Sequence, residues 1–356
     1  MSAAGRELLM KAVVFNRHGD SGVMEMSEVP VPEVPDGWVL VRVNGSSINH
    51  LDFTVRSGSA GIPVHFPHIG GCDAAGTVAA LGRGATGYRE GEAVVVNPGI
   101  GCGNCPACRM GEDPLCEDFR ILGEHMNGSF AEFVSVPARN LKRMPQGFSL
   151  VKAAASPLVY LTAWHALVGR AGIRFGERVL VTGGSGGVSA AAIQIAKLFD
   201  ANVVATTRKE EKADALRRIG ADDVIVTAGE GWGKNYLDRA GINGFDIVID
   251  SVGSALWKDS IRSLSKGGRF LNYGRTSGGH VSTDLSFIFW KQLQIIGSTM
   301  GNPDEFDTVM NLIFNRRLDP VVDRVFSLRE AGLAQDYVES AGQIGKVVLL
   351  VGEDSH

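Results

Sequence analysis

Four cysteines that lie close together are the residues whose type and spacing specify chemistry most directly. Cys102, Cys105, Cys108 and Cys116 follow the pattern C-x₂-C-x₂-C-x₇-C on a segment rich in glycine and proline. Thiolates at this spacing can surround one tetrahedral Zn²⁺ ion. Four protein ligands leave no open coordination position, so such a zinc ion is structural and the reaction must lie elsewhere. A disulfide within the cluster and iron–sulfur ligation are the alternatives.

A glycine-rich turn offers a second kind of chemistry. The apolar run Val179–Thr182 leads into Gly183-Gly-Ser-Gly-Gly-Val188, and a helical pattern follows. Glycines let a backbone approach a pyrophosphate, and a helix N-terminus supplies free N–H groups and a positive dipole end. Ser189 takes the third glycine position of the dinucleotide fingerprint, where a small residue is needed. We predict that a dinucleotide binds at Gly184, Ser185, Gly186, Gly187 and Val188.

The end of the next strand indicates which dinucleotide is preferred. An NAD site has an Asp or Glu there, which binds the ribose 2′-hydroxyl. This chain instead has Thr206, Thr207, Arg208 and Lys209. Without a carboxylate nothing repels a 2′-phosphate, and a guanidinium can bind its oxygens with two N–H groups. We predict NADP(H) in preference to NAD(H), with Thr207, Arg208, Lys209 and Lys212 at the cofactor; ordinary surface charge is the alternative.

Two kinds of hydrophobic pattern along the chain predict the elements that position these residues. Residues 11–150 contain short apolar runs between turn residues, which is typical of an all-β region. Beyond residue 150, strand and helix patterns alternate, which predicts a doubly wound parallel sheet with helices on both faces. The tail, with a helical pattern at Pro303–Arg316 and extended runs at Val321–Phe326 and Lys346–Val351, is expected to rejoin the first region.

Composition excludes several classes of function. The 356 residues carry a formal net charge of −4, which gives no general attraction to nucleic acid or to an anionic membrane. No apolar run approaches the ~20 residues of a membrane-spanning helix. Five cysteines, four of them clustered, suit zinc in a reducing cytoplasm better than a secreted disulfide framework. We therefore expect a cytoplasmic protein with a small-molecule substrate.

The order of these features resembles the medium-chain dehydrogenase/reductase superfamily over essentially the whole chain. The resemblance also rests on Leu161-Thr-Ala-Trp164, Gly220-Ala-Asp222, Gly297-Ser-Thr-Met-Gly301 and Gly345-Lys-Val-Val348. It implies a GroES-like catalytic domain at 1–159 with a zinc lobe at about 97–120, a Rossmann domain at 160–299, and a return to the first domain at 300–356. It also implies one structural zinc ion per chain and a homodimer or homotetramer that pairs through residues 293–300. Thr162, Val252 and Tyr273 are expected to line the cofactor site, and Lys346 to reach a cofactor phosphate or only to fill a strand edge.

The positions that hold a catalytic zinc ion in the alcohol dehydrogenase branch differ in this chain. The ligand positions of that branch correspond to Asn49, Cys72 and Leu158. Of these three side chains only Cys72 is a usual zinc ligand. The alternative is a distorted catalytic zinc site in which His50 or Asp73 serves as a ligand.

The same stretch instead resembles the N-x-x-D-x-x-x-R-x-G pattern of quinone and enoyl reductases, which work without a catalytic metal. It reads Asn49-x-x-Asp52-x-x-x-Arg56-x-Gly58. We predict a catalytic set of Asn49, His50, Asp52 and Arg56. Asn49 is expected to donate from its amide to substrate or nicotinamide, and Asp52 and Arg56 to hold the loop. His50, His125 and Tyr160 are the candidate proton donors.

These observations predict an NADPH-dependent oxidoreductase that transfers hydride to an activated double bond of a quinone, enone or enoyl thioester. A zinc-dependent alcohol or polyol dehydrogenase with an atypical catalytic site is the main alternative. A cofactor-binding protein with little turnover is the third hypothesis. An RNA-binding role has no basic patch to support it.

Overall fold

The computed structural model describes residues 8–227 and 229–352, and the chain forms two compact units. Unit 1 comprises Met1–Leu158 and Asn302–His356, and unit 2 comprises Val159–Gly301. The predicted boundaries, 159/160 and 299/300, lie within two residues of these. The tail therefore belongs to the first unit, as its sequence pattern predicts.

The strands are named in chain order. They are β1 (Leu9–Phe15), β2 (Met24–Pro30), β3 (Trp38–Ser47), β4 (His68–Ile69), β5 (Ala75–Leu81), β6 (Ala93–Val96), β7 (Gly99–Ile100), β8 (Arg120–Ile121), β9 (Phe133–Pro137), β10 (Leu141–Arg143), β11 (Arg178–Val181), β12 (Asn202–Thr207), β13 (Asp223–Val226), β14 (Phe245–Asp250), β15 (Leu264–Asn272), β16 (Gln294–Gly297), β17 (Val322–Ser327) and β18 (Lys346–Leu350).

The helices are named in the same way. They are α1 (His50–Ser57), α2 (Pro106–Arg109), α3 (Leu150–Ala154), α4 (Pro157–Trp164), α5 (Gly187–Leu198), α6 (Ala213–Ile219), α7 (Trp232–Ala240), α8 (Ser254–Arg262), α9 (Leu285–Lys291), α10 (Pro303–Phe314) and α11 (Ala331–Glu339). Short 3₁₀ turns lie at Ser21–Val23, Asp113–Leu115, Ala138–Asn140, Glu210–Lys212 and Leu328–Glu330, and a π-helical turn lies at His165–Arg170.

Unit 1 is built on a seven-stranded sheet of order β10-β6-β5-β3-β18-β17, with β9 also paired to β3. The pairing of β18 with β3 is antiparallel and brings the chain's last strand beside the first region. Strand β3 ends at Ser47, and α1 follows after two residues, so Asn49 lies between sheet and helix. The buried side chains of Val41, Val94 and Val347 belong to three strands of this sheet and form part of one apolar core.

Unit 2 is a six-stranded parallel sheet of order β13-β12-β11-β14-β15-β16. The strand order reverses between β11 and β14, and in such sheets ligands bind beyond the carboxyl ends of the strands at this point. The turn from β11 into α5 contains the glycine-rich segment. The predicted fold class, a β-rich GroES-like domain with a doubly wound parallel-sheet domain, is confirmed.

Some elements differ from the sequence prediction. The region 11–150 is not all-β, because α1 is an eight-residue helix within it. The apolar spacing of Ser149–Val168 predicts one helix. The structure instead divides this segment into α3, α4 and the π-helical turn, since Pro157 cannot continue the α3 hydrogen-bond ladder. Helices α7 and α11 are also present in the structure although the sequence analysis does not predict them.

None of the helices in the described part of the chain combines the length and the hydropathy that crossing a bilayer requires.

Candidate functional site

The four cysteines of the predicted zinc lobe come together in the structure. The Sγ atoms of Cys102, Cys105, Cys108 and Cys116 all lie within 4.8 Å of one another. Zn–S bonds of about 2.3 Å in a tetrahedron place thiolates roughly 3.8 Å apart, so the cluster fits one Zn²⁺ ion. No disulfide forms among the cysteines, all of which lie in the described residues. Within residues 8–227 and 229–352 this is the only group of three or more His, Cys, Asp or Glu side chains placed to hold a metal ion.

Backbone N–H groups lie close to the sulfur of Cys102. The N–H groups of Asn104 and Cys105 lie 3.4 and 3.3 Å from Cys102 Sγ. These donors, Asn104 first, lower the pKa of the Cys102 thiol to about 7. A thiolate is the form that binds zinc, so the loop favours the ligating state of this residue.

The glycine-rich turn of unit 2 is fixed by the neighbouring strand. Gly183 N donates to Thr206 Oγ1 at 3.0 Å, and Gly184 N donates to Thr206 O at 2.8 Å. A methyl group on Gly184 would lie 3.0 Å from Leu216 and 3.1 Å from Ala205, so the position favours glycine. Gly186 caps α5 and Gly187 begins it. Ser189 Oγ donates to Thr182 O at 2.9 Å, which ties the helix to the strand end as the third glycine position requires.

The residues predicted to select the cofactor lie at the carboxyl end of β12. Thr207 is the last residue of the strand and is buried, whereas Arg208 and Lys209 are exposed. Lys212 is buried at the end of the following 3₁₀ turn. The carboxylate that would bind a ribose 2′-hydroxyl is absent from this strand end, and Arg208 stands in its place.

Three more predicted cofactor residues lie in unit 2. Val252 follows β14, where the buried Asp250 accepts from Gly253 N at 2.8 Å. Tyr273 follows β15, and its hydroxyl lies 3.2 Å from Ser189 Oγ. Thr162 is buried in α4, with its hydroxyl 4.0 Å from Met300 Sδ. Val252 and Tyr273 thus follow the carboxyl ends of the two strands next to β11 on that side of the sheet.

A buried polar network in unit 1 includes Asn49 and the backbone N–H of Leu158, which lie at two of the positions that the resemblance assigns to zinc ligands. Asp73 is fully buried, and its Oδ2 accepts from Ser47 Oγ at 2.6 Å and from Asn49 Nδ2 at 2.8 Å. Lys346 Nζ lies 3.2 Å from the same oxygen and donates to Asn49 Oδ1 at 2.5 Å. Asp73 Oδ1 accepts from Leu158 N at 2.8 Å. The carboxylate is therefore paired with a cation and held by three further donors.

These contacts occupy the polar atoms of Lys346 and Asn49. Lys346 Nζ also donates to Ile48 O at 2.7 Å, so its three hydrogens have three acceptors within unit 1. They leave no donor for a cofactor phosphate, because a lysine ammonium has only three N–H bonds. Asn49 is 5% exposed, and its amide is bonded to Asp73, Lys346 and, more weakly, Ser47 O. Asn49 is therefore a member of the network, and the structure leaves its amide no free donor for substrate or nicotinamide.

Asp52 and Cys72 form a second buried pair beside this network. Asp52 accepts from Asn49 N at 2.7 Å and from Gly71 N at 3.2 Å, and Cys72 Sγ lies 3.8 Å from its Oδ1. Burial raises the pKa of Asp52 to about 7, although the N–H groups of Asn49 and Gly71 stabilise the carboxylate and oppose this rise. Burial, with the charges of Asp52 and Asp73, also raises the pKa of the Cys72 thiol well above its usual range.

Arg56 holds α1 in place through another part of unit 1. Its Nη2 lies 3.0 Å from Glu339 Oε2, its Nη1 donates to Gln335 Oε1, and its Nε donates to Gly19 O at 3.3 Å. The guanidinium thus binds α11, and Asp52 caps the start of α1. The two residues act as a scaffold, but not as an ion pair with each other.

The three candidate proton donors have different surroundings. His50 is exposed and packs edge-on against Phe53 with ring centroids 5.3 Å apart. Burial of its ring nevertheless lowers its pKa, although Glu339 opposes this. His125 Nδ1 accepts from Ile121 N at 3.1 Å. Tyr160 is buried in unit 2, and its hydroxyl donates to Gln194 Oε1 at 3.1 Å.

Glu124 is an acidic residue near this site that sequence reasoning missed. Its side chain is only 12% exposed, and burial raises its pKa to about 7. Its charge also raises the pKa of Cys72, which places it in the electrostatic surroundings of the site. The glycines that flank it, in Gly123-Glu-His-Met-Asn-Gly128, are a pattern from which a tightly packed loop could have been predicted.

Comparison with known proteins identifies the family. The model of the alcohol dehydrogenase GroES-like domain matches residues 35–146, and that of zinc-binding dehydrogenases matches residues 187–315. An NAD-dependent alcohol dehydrogenase of Sulfolobus acidocaldarius is 32% identical over 355 residues, which cover 96% of this chain and 100% of that protein. The chain belongs to the medium-chain dehydrogenase/reductase superfamily.

Two further members show the range of chemistry among its relatives. An acryloyl-coenzyme A reductase of Metallosphaera sedula is 30% identical over 342 residues, which cover 96% of this chain and 99% of that protein. A solved structure of an NAD-dependent alcohol dehydrogenase superposes with a TM-score of 0.92 at 40% identity, covering 96% of this chain and all of that one. This medium-chain dehydrogenase/reductase is accordingly an oxidoreductase of the zinc-binding, NAD(P)-binding kind.

Proposed function

We propose that the protein is an NADPH-dependent reductase of activated carbon–carbon double bonds, with quinones, enones or enoyl thioesters as the substrate class. One structural zinc ion would be held by Cys102, Cys105, Cys108 and Cys116, and no zinc ion would take part in the reaction. A reducing cytoplasm would keep these thiolates available. The observation that carries the proposal is the Asn49–Asp73–Lys346 network, which stands where a catalytic zinc ion would need ligands.

The side chains at Asn49, Cys72 and Leu158 suit the reduction of a double bond better than the oxidation of an alcohol. Removing hydride from an alcohol calls for a strong Lewis acid to stabilise the alkoxide. Asn49 uses its amide within the network, Cys72 is a buried thiol, and Leu158 offers only its backbone N–H, which binds Asp73. In place of an open metal position, unit 1 has a lysine ammonium that is already paired.

For the reduction of an activated double bond, hydrogen-bond donors and a source of a proton are sufficient. When bound, NADPH supplies the hydride that adds to the β-carbon. The charge then develops on the carbonyl oxygen as an enolate, which fixed hydrogen-bond donors can stabilise. The α-carbon needs a proton from a nearby acid or from water.

A zinc-dependent alcohol or polyol dehydrogenase is the second candidate function. It is favoured by relatives named NAD-dependent alcohol dehydrogenase, among them the one solved at 40% identity. In that case Cys72, with His50 or Asp73, would have to form an atypical zinc site.

Zinc stoichiometry and substrate range separate the two candidates. We expect one zinc ion per chain by elemental analysis, and NADPH consumption with enones, quinones or enoyl-CoA esters but not with simple aldehydes. The matched variant is Cys72→Ala, which should keep both the zinc content and the initial rate. Two zinc ions per chain, one of them lost together with alcohol oxidation in Cys72→Ala, would support the second candidate instead.

The preference for NADPH is a separate part of the proposal and rests on Arg208. An exposed guanidinium at the end of β12 can form charge-assisted hydrogen bonds with a 2′-phosphate, and each such bond contributes about 1.5–3 kcal/mol. Arg208→Ala should therefore lower kcat/KM for NADPH roughly 10- to 100-fold and leave that for NADH nearly unchanged. Arg217→Ala, at an exposed arginine of α6 that pairs with Asp214, is the control. Equal losses with both cofactors would contradict the proposal.

We also propose that the chain acts as a homodimer or homotetramer, with a small-molecule substrate and no nucleic-acid or membrane partner. Strand β16 is the last strand of the unit 2 sheet, and most of its residues are exposed. Exposed apolar side chains of α9 lie just before it in the chain. A second copy pairing at this edge would cover both features.

A further inference from the structure

A pocket of about 500 Å³ lies within unit 1 and is lined by residues of the small sheet β2-β1-β4 and of strand β9. Met10 and Val14 of β1 line it, and in the strand register they lie opposite Val29 of β2 and Ile69 of β4, which line it as well. Side chains of directly opposed residues share one face of a sheet, so these four form one apolar wall. The volume is within the range of about 300–1,000 Å³ that is typical of small-molecule sites.

Other parts of unit 1 complete the lining of the pocket. Phe133 and Ser135 of β9 contribute to it, together with Trp38 of β3. Three prolines of residues 30–35 also line it. Proline has a fixed φ angle and no N–H group, so this part of the rim is stiff. A pocket that is already formed without a ligand loses little conformational freedom when a ligand binds.

One polar side chain in this lining lacks a partner. Ser135 is 7% exposed, and its hydroxyl has no hydrogen-bond partner in the described chain. A buried hydroxyl in this state costs free energy, because its hydrogen bonds to water are lost without replacement. The side chains of Glu33 and Asn127, which also line the pocket, are exposed and can bond to water. A ligand in the pocket can supply the partner that Ser135 lacks.

The lining also determines which charge a ligand can carry. Glu33 is the only charged residue among those that line the pocket in the described structure. An anionic ligand would therefore find no cation to pair with, and moving any charged group against an apolar wall is costly. None of the residues of the Asn49–Asp73–Lys346 network lines the pocket. The pocket is thus suited to a neutral molecule and is separate from that network.

We propose that this pocket binds a small neutral phenol, a molecule with an aromatic body and one hydroxyl group, and that this hydroxyl bonds to Ser135. Trp38 and Phe133 favour an aromatic body, since aromatic rings gain from stacked and edge-to-face contacts. Burial of the apolar body provides most of the affinity, and the hydrogen bond to Ser135 provides selectivity for the hydroxyl. The inference does not depend on the proposed function, because it concerns side chains of unit 1 alone.

Titration of the full-length protein with 1-naphthol, followed by NMR of ¹³C-methyl-labelled methionines, tests the proposal. The signals of Met10 and Met126, which line the pocket, should shift with one saturable dissociation constant, whereas those of Met144 and Met310 should not shift. Naphthalene has the same body without the hydroxyl and should bind about 2- to 10-fold more weakly, which is the contribution of one hydrogen bond. In Ser135→Ala this difference between the two ligands should disappear, while naphthalene should bind as it does to the wild type.

A variant that fills the pocket gives a second test. Val29→Phe should weaken the binding of 1-naphthol about 10-fold or more, whereas Val325→Phe, at an exposed valine of β17 outside the pocket, should bind it like the wild type. Circular dichroism shows whether both variants fold; if Val29→Phe does not, the wild-type titration and Ser135→Ala decide. Wild-type shifts that do not saturate, or that are absent from Met10 and Met126, would overturn the site. Equal affinities of the wild type for 1-naphthol and naphthalene would overturn the assignment of a phenol bonded to Ser135.

Discussion

Lys346 and Asp73 show at the scale of single residues how two opposite charges can be stabilised in the interior of unit 1. Two opposite charges are taken out of water here, at a cost that their mutual attraction offsets only with good geometry and further hydrogen bonds. Both conditions hold, because Lys346 has three acceptors and Asp73 has four donors. Lys346 and Asp73 therefore balance each other's charge within the network.

Removing one member of this pair should be strongly destabilising. Lys346→Met leaves a buried carboxylate without its cation, and Asp73→Asn leaves a buried ammonium without its anion, so each should lower the free energy of unfolding by about 3–5 kcal/mol. The double variant should lose clearly less than the two single losses together, because no unpaired charge remains. Urea unfolding followed by circular dichroism gives these values. Arg83→Met, at an exposed pair with Asp36, should change stability by at most ~1 kcal/mol. Simple additivity of the two buried substitutions would argue against the pairing.

Asp52 should make the stability of unit 1 depend on pH. Its pKa is about 7 in the folded chain and near its usual value of 3.8 in the unfolded chain. Between these values the folded state binds the extra proton, so the free energy of unfolding falls as the pH rises, by roughly 4 kcal/mol in total. Asp52→Asn should remove this part of the decline between about pH 4 and pH 8, as measured by urea unfolding across that range.

Glu124 contributes a decline of the same sign, and Asp52→Asn leaves it in place. The quantity to compare is therefore the difference between wild type and variant at each pH. Asp36→Asn, at an exposed carboxylate, serves as the control. A difference that stays constant with pH would mean that Asp52 is ionised throughout.

At the scale of elements, the short polar helix α1 explains much of what sequence could not predict. Its buried residues include Asp52 and Arg56, so it lacks the apolar stripe that reveals a helix in a sequence. The partners that stabilise these buried charges lie far along the chain. They are Glu339 and Gln335 on α11 and Lys346 on β18. Contacts between segments 279 or more residues apart leave no trace in local periodicity.

The elements of unit 2 are easier to predict, because the apolar runs and glycines that indicate each element lie within that element. The apolar run Val179–Thr182 and the glycine turn after it predict β11 and the start of α5 within one or two residues of their observed bounds. The cysteine cluster was predicted for the same reason, since its ligands lie within fifteen residues of one another. Asn49 and Lys346 were given different roles from sequence, because neither one alone indicates that the other is its partner.

The zinc lobe offers a prediction about an element. Gly101 lies where a methyl group would be 2.5 Å from Asp113 Oδ1 and 2.7 Å from Cys108 Sγ. Gly101→Ala should therefore push Cys108 away from the cluster and lower the zinc content below one ion per chain, as measured by elemental analysis after dialysis. Gly332→Ala, in α11 with only ordinary contacts nearby, should retain the zinc ion. Full zinc content in Gly101→Ala would show that the lobe can shift without losing its ligand geometry.

At the scale of the whole molecule, several large apolar side chains of α9 and β16 in unit 2 are exposed. Phe289 and Trp290 of α9 are 68% and 74% exposed, and Ile295 of β16 is 46% exposed. Among the described residues, β16 pairs only with β15 and leaves its outer edge open. An open edge with large apolar side chains beside it favours association, because unpaired strands and apolar patches both gain from a partner.

This surface leads to the prediction that copies of the chain associate through it. Light scattering after gel filtration should give at least twice the chain mass of 37.8 kDa for the wild type. Ile295→Glu and Trp290→Glu should shift the protein to the monomer, since each would place a charge in the proposed apolar contact. Phe175→Glu is the matched control, because Phe175 is also a highly exposed aromatic residue of unit 2 but lies on another segment. A wild type that is monomeric at tens of micromolar, or an oligomer that both glutamate variants leave intact, would rule out this edge as the interface.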